Sequence, residues 1–222
     1  TAGVNYENKK HSRLFASRKN LLSESLNDLN LATGDMLVGG GAYDYALFGA
    51  FFRANYDYNN KYLLEANGRY DGTSRFKKGM RFGFFPSVSA GWRMSEEPFF
   101  EKAKSIISNL KLRASYGSLG NQAVNSSSPN YYPYISTMNM ALSSWLIDGQ
   151  KTQNVSSPKP IIDNLTWEKA TTVNAGLDMG FINNKLNISA DAYIRNTTDM
   201  LVPGKTLAAV FGATSPQQNA GD

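Results

Sequence analysis

Residues 46 to 70 read ALFGAFFRANYDYNNKYLLEANGRY, and their order decides the fold. The even positions from 46 to 58 are Ala46, Phe48, Ala50, Phe52, Ala54, Tyr56 and Tyr58, while the odd ones turn from Leu47 and Gly49 to Arg53, Asn55 and Asp57. Successive side chains of a strand point to opposite sides, so this order makes one side apolar throughout. After Asn59 and Asn60 the alternation resumes, with Tyr62, Leu64, Ala66, Gly68 and Tyr70 opposed to Lys61, Glu65, Asn67, Arg69 and Asp71. Asn tolerates the positive φ of tight hairpin turns, so the two segments are predicted to pair as a hairpin.

Outward from this hairpin the pattern repeats. In 82–93 the apolar set is Phe82, Phe84, Pro86, Val88, Ala90 and Trp92, opposed, Phe85 apart, by small or polar residues and Arg93. In 110–117 Leu110, Leu112, Ala114 and Tyr116 alternate with Lys111, Arg113, Ser115 and Gly117. In 172–181 Val173, Ala175, Leu177, Met179 and Phe181 oppose Asn174, Gly176, Asp178 and Gly180. A second Asn pair, Asn183 and Asn184, leads into Leu186, Ile188, Ala190, Ala192 and Ile194, set against Lys185, Asn187, Ser189, Asp191 and Arg195. With a strand at about Ala2 to Asn8, the sequence predicts an all-β, antiparallel meander of about seven long strands.

Strand length separates a membrane barrel from a soluble sandwich. These strands run about 9 to 12 residues, enough for a tilted strand to cross a bilayer, against about 5 to 6 in globular sheets. Connections alternate too: tight Asn turns follow Tyr58 and Phe181, and long polar segments follow Tyr70, Gly117 and Arg195, the arrangement of outer-membrane barrels. Phe82 and Trp92 share the apolar face about 25 Å apart along the membrane normal, and Tyr62 and Tyr70 bracket the preceding strand, as interface girdles would. One connection is helical in character. Ser95 is placed to cap a short helix near 96–107, with Glu96, Glu97 and Pro98 in its first turn and Phe99, Phe100, Ala103, Ile106 and Ile107 on one face.

Composition agrees without deciding. The chain has 222 residues, 41% hydrophobic, no Cys, one His and a net charge of +5; mean hydropathy is −0.39. No apolar run approaches the length of a spanning helix, which excludes a helical membrane protein, whereas barrel strands need apolar side chains only at alternate positions. The basic groups Lys9, Lys10, Arg13, Arg18 and Lys19, and Arg75, Lys77, Lys78 and Arg81, read as solvated loop charge, with contact to anionic lipopolysaccharide or ligand as the functional reading. No nucleic-acid recognition motif accompanies them. The chain opens on Thr1 with no secretory leader, and residues 219 to 222 suggest no element, so the sequence reads as a fragment.

The words Arg53-Ala-Asn-Tyr-Asp-Tyr58, Lys61-Tyr-Leu-Leu-Glu-Ala-Asn67, Arg69-Tyr-Asp-Gly-Thr-Ser-Arg-Phe76 and Phe82-Gly-Phe-Phe-Pro-Ser-Val-Ser-Ala-Gly-Trp-Arg93 resemble the SusC-like (RagA-type) family of TonB-dependent outer-membrane transporters of Bacteroidetes. Further matches are Leu110-Lys-Leu-Arg-Ala-Ser-Tyr-Gly117 with Gly120-Asn-Gln122, Thr166-Trp-Glu-Lys169 with Asn174-Ala-Gly-Leu-Asp178, and Tyr193-Ile-Arg195 with Thr197-Thr-Asp-Met-Leu201. They follow family order and cover most of the chain from 46 onward; residues 1 to 45 match weakly, as a variable outer loop would. The resemblance implies that residues 1–222 are about a third of the wall of a transmembrane barrel of about 22 strands. A plug domain, a TonB-contacting N-terminal part and the remaining strands would lie outside the segment. It further implies a SusD-like lipoprotein lid and import of oligosaccharides or peptides driven through TonB.

On this reading Phe48, Phe52, Leu64, Phe82, Phe84, Val88, Trp92, Leu112, Leu177 and Ile188 face lipid, while Arg53, Glu65, Arg69, Arg113, Asp178 and Asp191 face the lumen. Ligand or lid contact is expected from the long segment Ser118–Leu165, whose Tyr131, Tyr132, Tyr134 and Trp145 could stack on a sugar or pack beneath a lid. No catalytic, cofactor or metal constellation emerges. His11 sits in a basic polar segment without a predicted nucleophile, Glu96 and Glu97 are accounted for by the helix start, and Gly39 to Gly41 lack the rest of a phosphate loop. The competing readings are a non-transporting β-barrel or β-sandwich adhesin or carbohydrate-binding module and, with fewest residues in its favour, a barrel enzyme.

Overall fold

In the computed structural model, which describes residues 1–222 except 26–27, 123–131, 162–163, 214 and 222, seven strands form one curled antiparallel sheet. They are β1 (Ala2–Arg18), β2 (Met36–Tyr58), β3 (Tyr62–Thr73), β4 (Phe82–Arg93), β5 (Ile107–Asn121), β8 (Glu168–Phe181) and β9 (Leu186–Thr198), in the order β1-β2-β3-β4-β5-β8-β9. The hairpin β6 (Met140–Ile147) with β7 (Gln150–Val155) and the hairpin β10 (Met200–Pro203) with β11 (Gln217–Gly221) are separate two-stranded sheets. The meander thus has the expected number of strands, and β1 and β9 each have one neighbour.

The tight turns lie at one rim. Asn59 and Asn60 have φ of 53° and 56°, and the Asn60 amide donates to Asp57 Oδ1 at 2.8 Å. At the second turn Ile182 joins Asn183 and Asn184 at positive φ, an unusual place for a β-branched side chain and one that composition does not announce. The far rim carries the long connections.

Several boundaries differ from expectation. β1 and β2 run to 17 and 23 residues, and their pairing continues from Asn8↔Ala46 to Arg18↔Met36 above the point where β3 ends at Leu47↔Thr73. His11, Lys9, Lys10, Arg13 and Arg18 are therefore strand residues and not loop charges. The ribbon was illegible because both its faces are exposed, leaving no apolar period to read. β6 and β7 lie within the long segment 118–165, and β11 covers Asn219 to Gly221. In place of one helix at 96–107 there are two 3₁₀ turns, Met94–Glu96 and Pro98–Ala103. Ser95 does not cap: it is fully buried inside the first turn, with Oγ 3.5 Å from Asn109 Oδ1.

No second sheet covers the large one among the described residues, so the sandwich reading fails. The buried apolar cluster is small, Phe76, Phe85, Leu165 and Trp167, with Leu201 against it, and it lies near the long-loop rim. Phe85, the one bulky exception in its strand's polar set, belongs to it and meets Trp167 edge-on. A Cβ on Gly83 would lie 2.6 Å from Phe85 Cζ and one on Gly120 would intrude further, so both glycines make room for the ring.

Candidate functional site

The wall itself is the site, because its two faces have opposite chemistry. Directly paired residues of an antiparallel sheet share a face. The pairs Tyr56↔Leu64, Ala66↔Val88, Val88↔Tyr116, Trp92↔Leu112, Leu112↔Leu177 and Met179↔Ile188 run across the sheet, and Phe48↔Gly72, Gly72↔Phe82 and Tyr70↔Phe84 join them. Phe48, Phe52, Leu64, Phe82, Phe84, Val88, Trp92, Leu112, Leu177 and Ile188 therefore stand on one face. Phe52, Leu64, Phe82, Phe84 and Val88 are each about half exposed. An exposed apolar patch on a soluble monomer rarely exceeds a few hundred Å², about 300–600. A continuous face of such side chains over six strands is far larger.

Two clusters of rings bound this face. Near the long-loop rim Tyr70 stacks on Phe82 (centroids 5.1 Å, 7°) and Phe48 meets Phe82 edge-on at 6.5 Å. Near the tight-turn rim Tyr62 stacks on Trp92 (6.4 Å, 9°) and neighbours Tyr58 at 6.5 Å. Rings with polar tips collect where an apolar slab meets water.

The polar tips at the tight-turn rim converge on one carboxylate. Tyr62 Oη and Trp92 Nε1 donate to Glu97 Oε1 at 2.8 and 3.2 Å, and Lys61 Nζ donates to Glu97 Oε2 at 3.1 Å. These hydrogen bonds, led by that of Tyr62, hold the Glu97 carboxyl below the usual carboxylate range. Glu97 is thus a strap between the 3₁₀ segment and the aromatic girdle. The spacing of Glu97 from Trp92 gives no sign of it, because Lys61 and Tyr62 come from the β2–β3 turn and the start of β3. A folded-state pKa below the unfolded one means that the contribution is complete above the unfolded value and is lost as pH falls through the folded value. In the intact receptor, Glu97→Gln is expected to lower the thermal midpoint at neutral pH and to flatten its fall on acidification; identical melting profiles across pH for both proteins would contradict the strap.

On the opposite face the six expected polar residues are knit into ion pairs. Arg53 Nη2 lies 2.6 Å from Glu65 Oε2, and Arg69 holds Asp71 with two bonds of 3.0 and 2.8 Å while its guanidinium lies over Phe51. Arg113 grips Asp178 through Nε and Nη2 at 2.8 and 3.0 Å and reaches Asp191 at 3.2 Å; Ser189 and Asn174 donate to the two carboxylates. A Cβ on Gly176 would lie 2.8 Å from Arg113 Cζ and 2.5 Å from Asp191 Oδ1, so a glycine there lets the fork approach. Pairs this exposed are screened by water, so their effect is to make the face wettable and charge-balanced more than to hold the fold.

Of the expected ligand or lid aromatics, two are brought together. Tyr132 and Tyr134 meet edge-on at 6.1 Å, and Tyr132 Oη donates to the Asp44 backbone oxygen on β2; burial, with the nearby Asp44 carboxylate, pushes its phenol up. Trp145 is exposed on the β6–β7 hairpin. Tyr131 lies outside the described residues. Among the described residues no His, Cys, Asp and Glu group could hold a metal.

A curled antiparallel sheet, apolar on one face, ion-paired on the other and ringed by aromatics at both ends, defines the class of outer-membrane β-barrel walls. Residues 2–222 match the family described as TonB dependent receptor-like, beta-barrel, and the chain belongs to it. Such receptors are outer-membrane transporters and not enzymes. The chain is 31% identical to TonB-dependent receptor P3 of Formosa agariphila over 99% of its own length and 21% of that protein's. It is 40% identical to TonB-dependent receptor SusC of Bacteroides thetaiotaomicron over 68% of the chain and 15% of SusC. The structure of the RagAB peptide transporter superposes with a TM-score of 0.83 at 26% identity, covering 99% of this chain and 23% of that one. The chain thus spans 15% to 21% of the length of these curated relatives.

Proposed function

We propose that this chain is part of the barrel wall of a TonB-dependent importer of oligosaccharides or peptides, capped outside by a SusD-like lipoprotein and energised through TonB by an N-terminal part of the same receptor. The single observation that carries the reading is the division of one open sheet into an apolar and an ion-paired face. The apolar face, from Phe48 to Ile188, meets outer-membrane lipid. Arg53, Glu65, Arg69, Arg113, Asp178 and Asp191 line the lumen, where charge-balanced forks tolerate water and passing solute. Tyr132, Tyr134 and Trp145 contribute ligand or lid contacts at the outer mouth. The SusC and RagAB likenesses support a substrate that is an oligomer of sugar or amino acid. An open sheet leaves unpaired edges at β1 and β9, which suits a segment completed by further strands.

The test is uptake by cells expressing the intact receptor, offered fluorescent oligosaccharides and peptides. Accumulation is expected to require both the receptor and TonB and to stop when a protonophore collapses the proton gradient. Accumulation that persists without TonB would overturn the reading.

A further inference from the structure

The polar face does not end at the membrane. Above Leu47↔Thr73, β1 and β2 continue as a two-stranded ribbon for eleven residue pairs, roughly 35 Å. On the lumen-side surface of this ribbon, register places Lys9 opposite Tyr45, His11 opposite Tyr43, and Phe15 opposite Gly39, with Arg13 between. His11 and Tyr43 stack at 4.7 Å and 22°, the Arg13 guanidinium lies 5.3 Å from the Phe15 centroid, and Arg75 reaches from the β3–β4 loop to 4.2 Å over Tyr45. Lys9, His11, Arg13 and Phe15 are exposed. From Lys9 to Ser17 and from Leu37 to Tyr45 this surface carries no carboxylate among its described residues.

We propose that this ladder binds an acidic oligosaccharide, one bearing carboxylate or sulfate groups along its chain. The inference rests on the import reading above and narrows its substrate. Cations alternate with ring faces at two-residue steps, about 7 Å apart, so the complementary ligand presents a negative group at each repeat and a flat, C–H-bearing surface between. Acidic sugars do both. A peptide recognised by a sheet adds at an edge, through backbone hydrogen bonds, as the outer edge of β1 or β2 would allow, whereas the ladder lies on a surface that offers side chains only. Anionic lipid headgroups would meet the reverse surface, which continues the apolar face and carries Lys10, Leu14 and Arg18.

The test is equilibrium binding of oligogalacturonate, a sulfated oligosaccharide, neutral maltoheptaose and oligoglutamate to the purified intact receptor in detergent. Acidic sugars are expected to bind in preference to both others and to weaken as salt is raised. Lys9→Gln and Arg13→Gln should each weaken them about tenfold. Tyr43→Ala should weaken them as well, whereas Lys10→Gln and Arg18→Gln on the reverse surface should not. No binding of either acidic sugar, equal binding of oligoglutamate or maltoheptaose, or equal loss from the reverse-surface variants would overturn the proposal. Binding needs no energy input, so this outcome is independent of whether TonB-dependent uptake is observed.

Discussion

An intact receptor carrying Val88→Arg is expected to reach the outer membrane in much lower amount than one carrying Ser89→Arg, although the two positions are neighbours in β4. Val88 is half exposed and pairs with Ala66 and Tyr116 on the apolar face; Ser89 pairs with Glu65 and Ser115 on the ion-paired one. A guanidinium on the lipid face costs about 2–4 kcal/mol at the bilayer midplane and little near the interfaces, and Val88 lies midway between the ring clusters at Phe82 and Trp92. The same charge at 89 enters a wettable surface already holding Arg53, Glu65 and Arg113. Quantifying folded receptor in outer-membrane fractions by heat-modifiability separates the cases. Equal yields would mean that the faces have been assigned to the wrong solvents.

Trp167→Ala is expected to cost about 3–5 kcal/mol of local stability at the outer rim, as truncation of a buried aromatic does. Trp167 is 6% exposed, meets Phe76 and Phe85 edge-on at 5.6 and 5.4 Å, and donates from Nε1 to the Arg81 backbone oxygen at 3.0 Å. Next to it the Thr166 amide donates to Asn219 Oδ1, and Asn219 Nδ2 donates to the carbonyls of Thr166 and Asp199. The β3–β4 connection, the entry to β8 and the β10–β11 hairpin are thereby tied to one point. The loss should appear as faster amide exchange in residues 74–81 and 199–204 with the β3–β4 and β8–β9 ladders unchanged. Trp167→Phe, which keeps a ring and loses the indole donor, should cost nearer 1 kcal/mol. Unchanged exchange in both loops after Trp167→Ala would show that the cluster does not organise the rim.

The strands are legible in the sequence where one face of the sheet is apolar and the other polar. Wherever a strand has one greasy and one wet neighbour, as in 46–58, 62–70 and 82–93, selection acts on every second position and the period is visible. No such period marks the outer halves of β1 and β2, where both faces are exposed. The basic residues 9 to 19 read from sequence as loop charge, and residues 1 to 45 as a variable outer loop, although most of them lie in β1 and β2. Capping preferences over 95–98 point to an α-helix, but Ser95 is buried beside Asn109 and Glu97 turns to the girdle, contacts that local propensity does not contain.

By itself the sequence determined the antiparallel meander, the apolar and polar faces, the two Asn turns and the family, since each follows from neighbours in the chain. Only the tertiary structure decided which distant groups meet: Glu97 with Tyr62, Arg113 with Asp178 and Asp191, Phe85 with Trp167, and His11 with Tyr43. Those meetings depend on strand register and loop return, and one residue of slip would exchange every side chain between the two faces. Alternation fixes what each strand presents to its surroundings; long-range pairing fixes what it presents to its neighbours.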